Sequence, residues 1–367
     1  MQTLYYFMER KEWTNQEILD IYQQPLMDLL YQAASVHRAN HDPNKVQVSS
    51  LISIKTGGCS EDCGYCPQAA RYHTDIEGND LMSVRQVKAQ ALRAKASGSS
   101  RVCLGAAWRN VKDGKDFDEV IEMVREITQL EMEVCCTLGM LTENQAKRLE
   151  EAGLYAYNHN IDSSEEYYKE VISTRAFEDR LETIGNVRKT SITLCSGGII
   201  GMGESVEDRA GMLKILANMY PQPESVPINA LVPVEGTPLE EQGPVSIFEM
   251  VRMVATTRIV LPQTQVRLSA GRTQMSEEGQ ALCFFAGANS IFAGDKLLTT
   301  PNPDIKQDMK LFNELSIKTQ APFEKHAKRE PKEPVTPPLG ENPKWTRPKH
   351  KIERNEQARI KAKNLSK

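Results

Sequence analysis

Eight short runs rich in β-branched and other apolar residues, at 46–54, 101–105, 133–138, 155–160, 191–196, 226–231, 265–269 and 289–293, limit what this chain can fold into. Between them lie longer segments of helical period, at 84–96, 117–130, 143–152, 176–189, 206–220, 247–260 and 276–285. A helix between two strands carries the chain back to the starting end of the sheet, so the strands are expected to run parallel. Eight such units suffice to close a ring, and the expected fold is α/β, a (β/α)8 barrel of the TIM type over residues 46–321. An open doubly wound sheet is the alternative that strand counting leaves standing.

Two appendages flank this body. Residues 1–45 read as a helical extension, with helical pattern over 10–40, Thr14 or Asn15 able to cap and Pro25 suited to the first position of a second helix. They are expected to cover the bottom of the barrel. From residue 322 to 367 the chain is basic and rich in Pro and Lys, and reads as a disordered tail. A basic helix over 352–363 that forms on a partner is the sharper but less economical alternative.

Composition narrows the function classes. Forty per cent hydrophobic and 26% charged residues describe a globular chain, and no stretch resembles a signal peptide or a membrane span, so a cytoplasmic location is expected. The net charge of −4 divides unevenly: residues 325–367 hold 13 Lys or Arg against 5 Glu, which leaves the rest near −12. Such a body is not a nucleic-acid binder, and no membrane partner is expected. Eight cysteines without an export signal point to thiols and metal chemistry before disulfides.

Cys59, Cys63 and Cys66 stand in KTGGCSEDCGYCPQ, directly after the first expected strand, where the loops of a barrel's C-terminal face carry chemistry. The CxxxCxxC spacing lets one loop gather three thiolates, with Gly57, Gly58 and Gly64 allowing tight turns. A four-iron cluster normally takes four cysteines, and no fourth lies close by, so one iron would stay open for a ligand. Zinc is the alternative, with His73 as the nearby candidate for a fourth donor. Cys103, Cys135 and Cys195 fall in three separate expected strands and Arg267 in a fourth, where a closed barrel could bring them together. Cys136 adjoins Cys135, and alternation allows only one of the two to face inward. Asn158, Asn160 and Asp162 in YNHNIDSS sit at alternate positions, offering amides and a carboxylate to hydroxyls or a urea, with His159 turned away.

CxxxCxxC with Tyr65 before its last cysteine resembles the signature of the radical S-adenosylmethionine superfamily. The segments VCLGAAWRN, CCTLGMLT, YNHNIDSS, LCSGGIIGMGE, PINALVPVEGTPL, VRLSAGR and GANSIFAGDKLLTTPNPD, in this order, resemble the biotin synthase family over roughly residues 15–315. This resemblance implies a [4Fe-4S] cluster on Cys59, Cys63 and Cys66, S-adenosyl-L-methionine as cofactor, and radical insertion of sulfur into dethiobiotin to form biotin. It implies a sulfur-donating [2Fe-2S] cluster on Cys103, Cys135, Cys195 and Arg267, and it selects Cys135 over Cys136; Cys136 and Cys283 are left as packing residues. It assigns Asn160 and Asp162 to the cofactor, Asn160 and Asn229 to the ureido ring of the substrate, and the glycine-rich CSGGIIGMGE to the methionyl end. Arg180 is expected to pair with the cofactor carboxylate. The resemblance also implies a reduced flavodoxin- or ferredoxin-type electron donor and a homodimer. No catalytic group beyond the cluster ligands is expected, because the attacked C–H bonds have no acidic proton for general acid–base chemistry to move. Two rivals stay open: a radical enzyme of the same build that inserts no sulfur, and a zinc-binding interaction module.

Overall fold

A computed structural model describes residues 12–294 and 296–324. In it the sheet consists of β1 (Lys45–Lys55), β2 (Arg101–Ala106), β3 (Glu133–Thr137), β4 (Ala156–Asn158), β5 (Thr193–Cys195), β6 (Gly198–Ile200), β7 (Ser225–Ala230), β8 (Gln265–Leu268) and β9 (Ser290–Ala293). All pair in parallel; the path runs β1-β2-β3-β4-β5-β7-β8-β9 and returns to β1, while β6 is a short addition on β7. Closure through β1 and β9 excludes the open sheet. All eight expected strands are present, with ends shifted by a few residues.

Helices follow the barrel strands in turn and wrap the outside. They are α3 (Val84–Ala96), α4 (Lys115–Thr128), α5 (Glu143–Glu151), α7 (Phe177–Arg188), α8 (Val206–Asn218), α9 (Ile247–Val260), α10 (Glu277–Phe285) and α11 (Ile305–Glu314); ahead of the barrel lie α1 (Asn15–Tyr22) and α2 (Leu26–Asn40), and α6 (Glu165–Val171) precedes α7. The helix α11 and the short α6 were not expected from periodicity. Among the described residues no helix is long and apolar enough to cross a membrane.

Alternation along the strands sorts the residues. Val102, Leu104, Val134, Cys136 and Tyr157 face the helices and are buried with Val120, Val124 and Leu149. The opposite positions of the same strands carry Arg101, Cys103, Glu133, Cys135 and Ala156, and these fill the barrel. On these strands the barrel is thus apolar outside, as usual, but polar within, where an ordinary packed barrel is filled by aliphatic layers. Its outer layer supplies the burial that holds the fold, at about 25 cal/mol per Å² of apolar surface removed from water.

The N-terminal helices do not cover the bottom. Thr14 caps α1 through a reciprocal pair with Glu17, and Pro25 precedes α2 as its N-cap rather than opening it. Helix α1 packs on α8 and α2 on α9, along the flank, where Asn218 exchanges two hydrogen bonds with the Trp13 backbone, at 2.7 and 2.9 Å. The floor is made by the other end of the chain. A short strand, Lys318–Thr319, pairs with β1 at Lys45 and Val46, and the residues after it turn under the barrel. There Gln320 accepts from Gln265 at 3.0 Å, the Phe323 N–H donates to Glu133 at 2.8 Å, and the Phe323 ring meets Tyr155 edge to face. Residues 1–11 and the tail from 325, including the segment 352–363, lie outside the described residues.

Candidate active site

Register places the strand cysteines. Cys103 on β2 and Cys135 on β3 are direct partners across the sheet, and Cys195 at the end of β5 is opposite Asn158. All three are buried, as is Arg267 on β8, which no solvent reaches. The Arg267 guanidinium lies over the Phe292 ring at 4.6 Å and donates to Ser290 at 2.9 Å, to Gln47 at 3.0 Å and toward the Cys195 sulfur at 3.7 Å. No carboxylate is among these partners, so this buried cation faces sulfur and neutral acceptors. Burial opposes ionisation of Cys103, yet the Cys135 thiol bonded to it and the charges of Arg267 and Arg101 outweigh burial and hold Cys103 below its ordinary value. Cys135, on the giving side of that bond, is pushed up. Cys136 and Cys283 face away into apolar clusters, as expected of packing residues.

The first three cysteines sit at the strand-end mouth of the barrel. Gly57 and Gly58 both adopt φ near +73°, a left-handed turn that other residues resist, and this swings the loop over the barrel end. Gly64 serves differently: its N–H donates to the Val171 carbonyl at 2.9 Å, and a Cβ there would press on the same oxygen at 3.4 Å. Cys59 is pinned by its N–H to the Gln68 carbonyl, 3.0 Å, and its carbonyl to the Ala70 N–H, 2.7 Å. Burial pushes all three thiols up, Cys66 to about 12. Among the described residues no three His, Cys, Asp or Glu side chains converge on a point that one metal ion could occupy. A zinc ion takes donors about 2.0–2.3 Å from one point, whereas a cluster meets each thiolate with a different iron. His73, the fourth donor of the zinc alternative, is exposed.

One cavity joins the two sets. It spans ≈ 1080 Å³ of empty space, counting the part open to solvent, and is lined by Cys66, Cys103, Cys135 and Arg267 together with Asn158, Asn160, Asp162 and Asn229. The strand β4 ends at Asn158, and Asp162 has φ +68°, so strict alternation does not carry through YNHNIDSS, yet its three polar side chains still line one wall. Asn160 accepts from the Gly197 N–H at 3.2 Å. Asn229 donates to the Gly198 carbonyl at 2.9 Å and accepts from Ala270 N–H at 3.2 Å. Gly197 and Gly198 are required by the close approach of neighbouring backbone: a Cβ on them would sit 2.1 Å from the Pro227 oxygen and 2.5 Å from the Asp162 oxygen. His159 is buried outside this cavity, stacked on Tyr157.

Arg180 is buried rather than on the helix surface, and it does not line the cavity. It holds Asp162 Oδ2 in an ion pair and donates to the Tyr168 hydroxyl at 3.0 Å; Tyr65 donates to the same Asp162 oxygen at 2.9 Å. The arginine therefore stands behind Asp162.

Several site residues escaped the sequence reading. Arg101 and Glu133 form a buried pair, Nη2 to Oε2 2.6 Å, one inward layer below Cys103 and Cys135. Each lies two positions before a strand cysteine, and that period could have revealed them. Leu297, Leu298 and Thr300, on a hairpin of Lys296–Leu297 and Thr300–Pro301, roof the cavity. Glu61 and Asp62, between the first two cysteines, are buried against Ser173, Thr174 and Arg175. Burial would raise the Asp62 carboxyl, but the hydrogen bonds from Ser173 and Thr174 prevail and lower it.

Comparison with known proteins yields two family models, one for the radical SAM superfamily over residues 53–216 and one for the biotin and thiamin synthesis associated domain over residues 227–318. The chain is 73% identical to a biotin synthase of Christiangramia forsetii over 357 residues, 96% of this chain and 98% of that protein. It is likewise 73% identical to a biotin synthase of Flavobacterium psychrophilum over 358 residues, covering 97% and 99%. Among solved structures, that of methylornithine synthase superposes with a TM-score of 0.72 at 18% identity, over 84% of this chain and 94% of the other, a likeness of fold.

Proposed function

The chain belongs to the biotin synthase family, and from that premise we propose how its cavity divides the work of radical sulfur insertion into dethiobiotin. The observation that carries the reading is the single cavity on which Cys66, Cys103, Cys135, Arg267, Asn160, Asp162 and Asn229 all open. The donor sets fit two different iron–sulfur groups: three thiols of one loop at the mouth, and three thiols with an arginine deep between the strands. When bound, a [4Fe-4S] cluster on Cys59, Cys63 and Cys66 supplies the electron that cleaves S-adenosylmethionine, and a [2Fe-2S] cluster on Cys103, Cys135, Cys195 and Arg267 supplies the sulfur.

The residues bind, orient and exclude. Asp162 has Oδ2 committed to Tyr65 and Arg180, which leaves Oδ1 for a ribose hydroxyl of S-adenosylmethionine, with Asn160 beside it. Arg180 fixes that carboxylate instead of meeting the cofactor's own. Asn229 spends one donor and one acceptor on the backbone and keeps an N–H and a lone pair for the ureido ring, to which Asn160 contributes from the facing wall. Leu297, Leu298, Ile199 and Phe292 give the remaining wall an apolar surface that keeps water from a carbon radical. Arg267 brings Nη1 to 3.7 Å from the Cys195 sulfur, which makes it the nitrogen that would complete the donor set of the deep site.

A reduced flavodoxin- or ferredoxin-type protein as electron donor, a second copy of the chain as partner, and a reducing cytoplasm that preserves eight free thiols complete the proposal. The test is anaerobic reconstitution with iron and sulfide, followed by S-adenosylmethionine, reductant and dethiobiotin. Biotin detected by mass spectrometry is the expected result, and its absence from protein that carries iron and acid-labile sulfide refutes the assignment.

A further inference from the structure

The cysteine loop encloses two carboxylates that the chemistry above does not use. Glu61 and Asp62 are 3% and 4% exposed, although three neighbouring thiolates would make negative charge unwelcome there. Both are consumed by the segment that comes after α6. Asp62 accepts the Ser173 N–H at 2.7 Å, the Thr174 N–H at 3.0 Å and the Ser173 hydroxyl, and its own N–H donates to the Thr174 hydroxyl at 3.0 Å. Glu61 takes Arg175 through Nε at 3.0 Å and Nη2 at 2.8 Å, and the Thr174 hydroxyl on its other oxygen. Arg109 links back, donating to the Thr174 carbonyl at 2.6 Å and accepting Arg175 on its own carbonyl at 3.1 Å. With the Gly64 N–H on the Val171 carbonyl, the loop is tied to residues 171–175 on both sides of Cys63. The same stretch runs on into α7, whose Arg180 grips Asp162.

We propose that residues 171–175 are a positioning strap: by gripping Glu61 and Asp62 they fix Cys59 and Cys63 relative to Asp162, and so set how tightly S-adenosylmethionine is held without touching it. This rests on the function proposed above. A carboxylate can accept at every lone pair; in the isosteric amide the oxygen can keep the Ser173 and Thr174 N–H groups that share Oδ1, but an NH2 replaces Oδ2, where the Ser173 hydroxyl donates and Arg71 pairs, so Asp62→Asn should loosen the strap on that side while preserving volume.

The experiment uses the full chain, reconstituted anaerobically, and follows the change that S-adenosylmethionine produces in the electron paramagnetic resonance spectrum of the reduced cluster, a readout that needs no dethiobiotin. In Asp62→Asn, iron and sulfide contents should match the unsubstituted protein while the cofactor dissociation constant rises about tenfold, the lower end of what outer-sphere partners of a metal site control. Arg175→Lys, which keeps the charge and loses the fork, should show a smaller rise. If Asp62→Asn fails to fold or to take up iron, Ser173→Ala carries the test, because it removes one hydroxyl and leaves both backbone donors in place. An unaltered dissociation constant and spectrum in the variants that load, with only the unfolding temperature lowered, would overturn the inference. Unsubstituted protein that takes up no iron would bring down the functional assignment, and the strap with it.

Discussion

Arg267 aims its Nη1 at the sulfur of Cys195 from 3.7 Å, and both side chains are closed to solvent. Its other partners are the neutral side chains of Ser290 and Gln47, so Nη1 is left to the deep thiol site, where its proposed role is that of a donor. Arg267→Met keeps most of the bulk and removes the nitrogen, and the midpoint potential of the cluster proposed for that site is expected to shift in a spectroelectrochemical titration. An unshifted potential would show that the arginine is no donor to it.

The two thiol sets should separate chemically. Cys63→Ala removes one of the three mouth thiols, and neither 5′-deoxyadenosine nor biotin is expected. Cys103→Ala leaves the mouth intact, so 5′-deoxyadenosine should still form while biotin does not. Liquid chromatography with mass spectrometry on both products decides it; loss of 5′-deoxyadenosine in Cys103→Ala would mean that the sets are not independent.

Asp162 is buried with Arg180 on one oxygen, and a buried carboxylate deprived of its cation is costly. Arg180→Met is expected to destabilise the cluster-free protein by about 3–5 kcal/mol in urea unfolding. Tyr65→Phe removes a single hydrogen bond to the same oxygen and should cost about 1 kcal/mol. Equal effects would contradict this ranking.

His159 provides a pH dependence. Burial first, then the positive fields of Arg180 and Arg175, hold its imidazole well below the ordinary value, and its Nε2 has no partner among the described residues. The unfolded chain takes up a proton near pH 6.5 that the folded chain refuses. The stability this group contributes is therefore whole above about pH 6.5 and declines as pH falls below it, by about 1.4 kcal/mol per pH unit until the depressed folded value is reached. His159→Gln should flatten that part of the acid limb in unfolding measurements between neutrality and about pH 5.

Period and spacing carried much of this molecule. Parallel strands buried on both faces, such as RVCLGA and EVCCT, stand out as unbroken runs, and CxxxCxxC announces its own loop. Cys103 and Cys135 could be read as strand residues, but their direct pairing depends on register, which local sequence does not encode. Arg180 was legible as a helix residue and not as the partner of Asp162, because its burial arises from α7 packing behind the strand end. The grip of residues 173–175 on Glu61 and Asp62 spans more than a hundred residues and left no periodic trace. Local sequence is equally silent on which end of the chain forms the floor, since neither amphipathicity nor charge says which face of a barrel a segment closes.

That floor separates the tail from its first residues. Gln320 and Phe323 satisfy Gln265, Glu133 and Tyr155 beneath the Arg101–Glu133 pair, so residues 320–324 belong to the barrel although Pro322 opens the Pro-rich stretch of the tail. Truncation after Glu324 should leave both unfolding and biotin formation unchanged. Truncation after Thr319 strips Glu133 of the Phe323 N–H and opens the ion pair to water from below. A buried acceptor that loses its donor costs about 1–3 kcal/mol, and the shorter protein should lose at least that much stability. Amide exchange at Gln47, Arg101 and Glu133 should accelerate with it, because solvent would then enter one layer beneath Cys103 and Cys135. If both truncations behave alike in unfolding and exchange, the floor lies elsewhere.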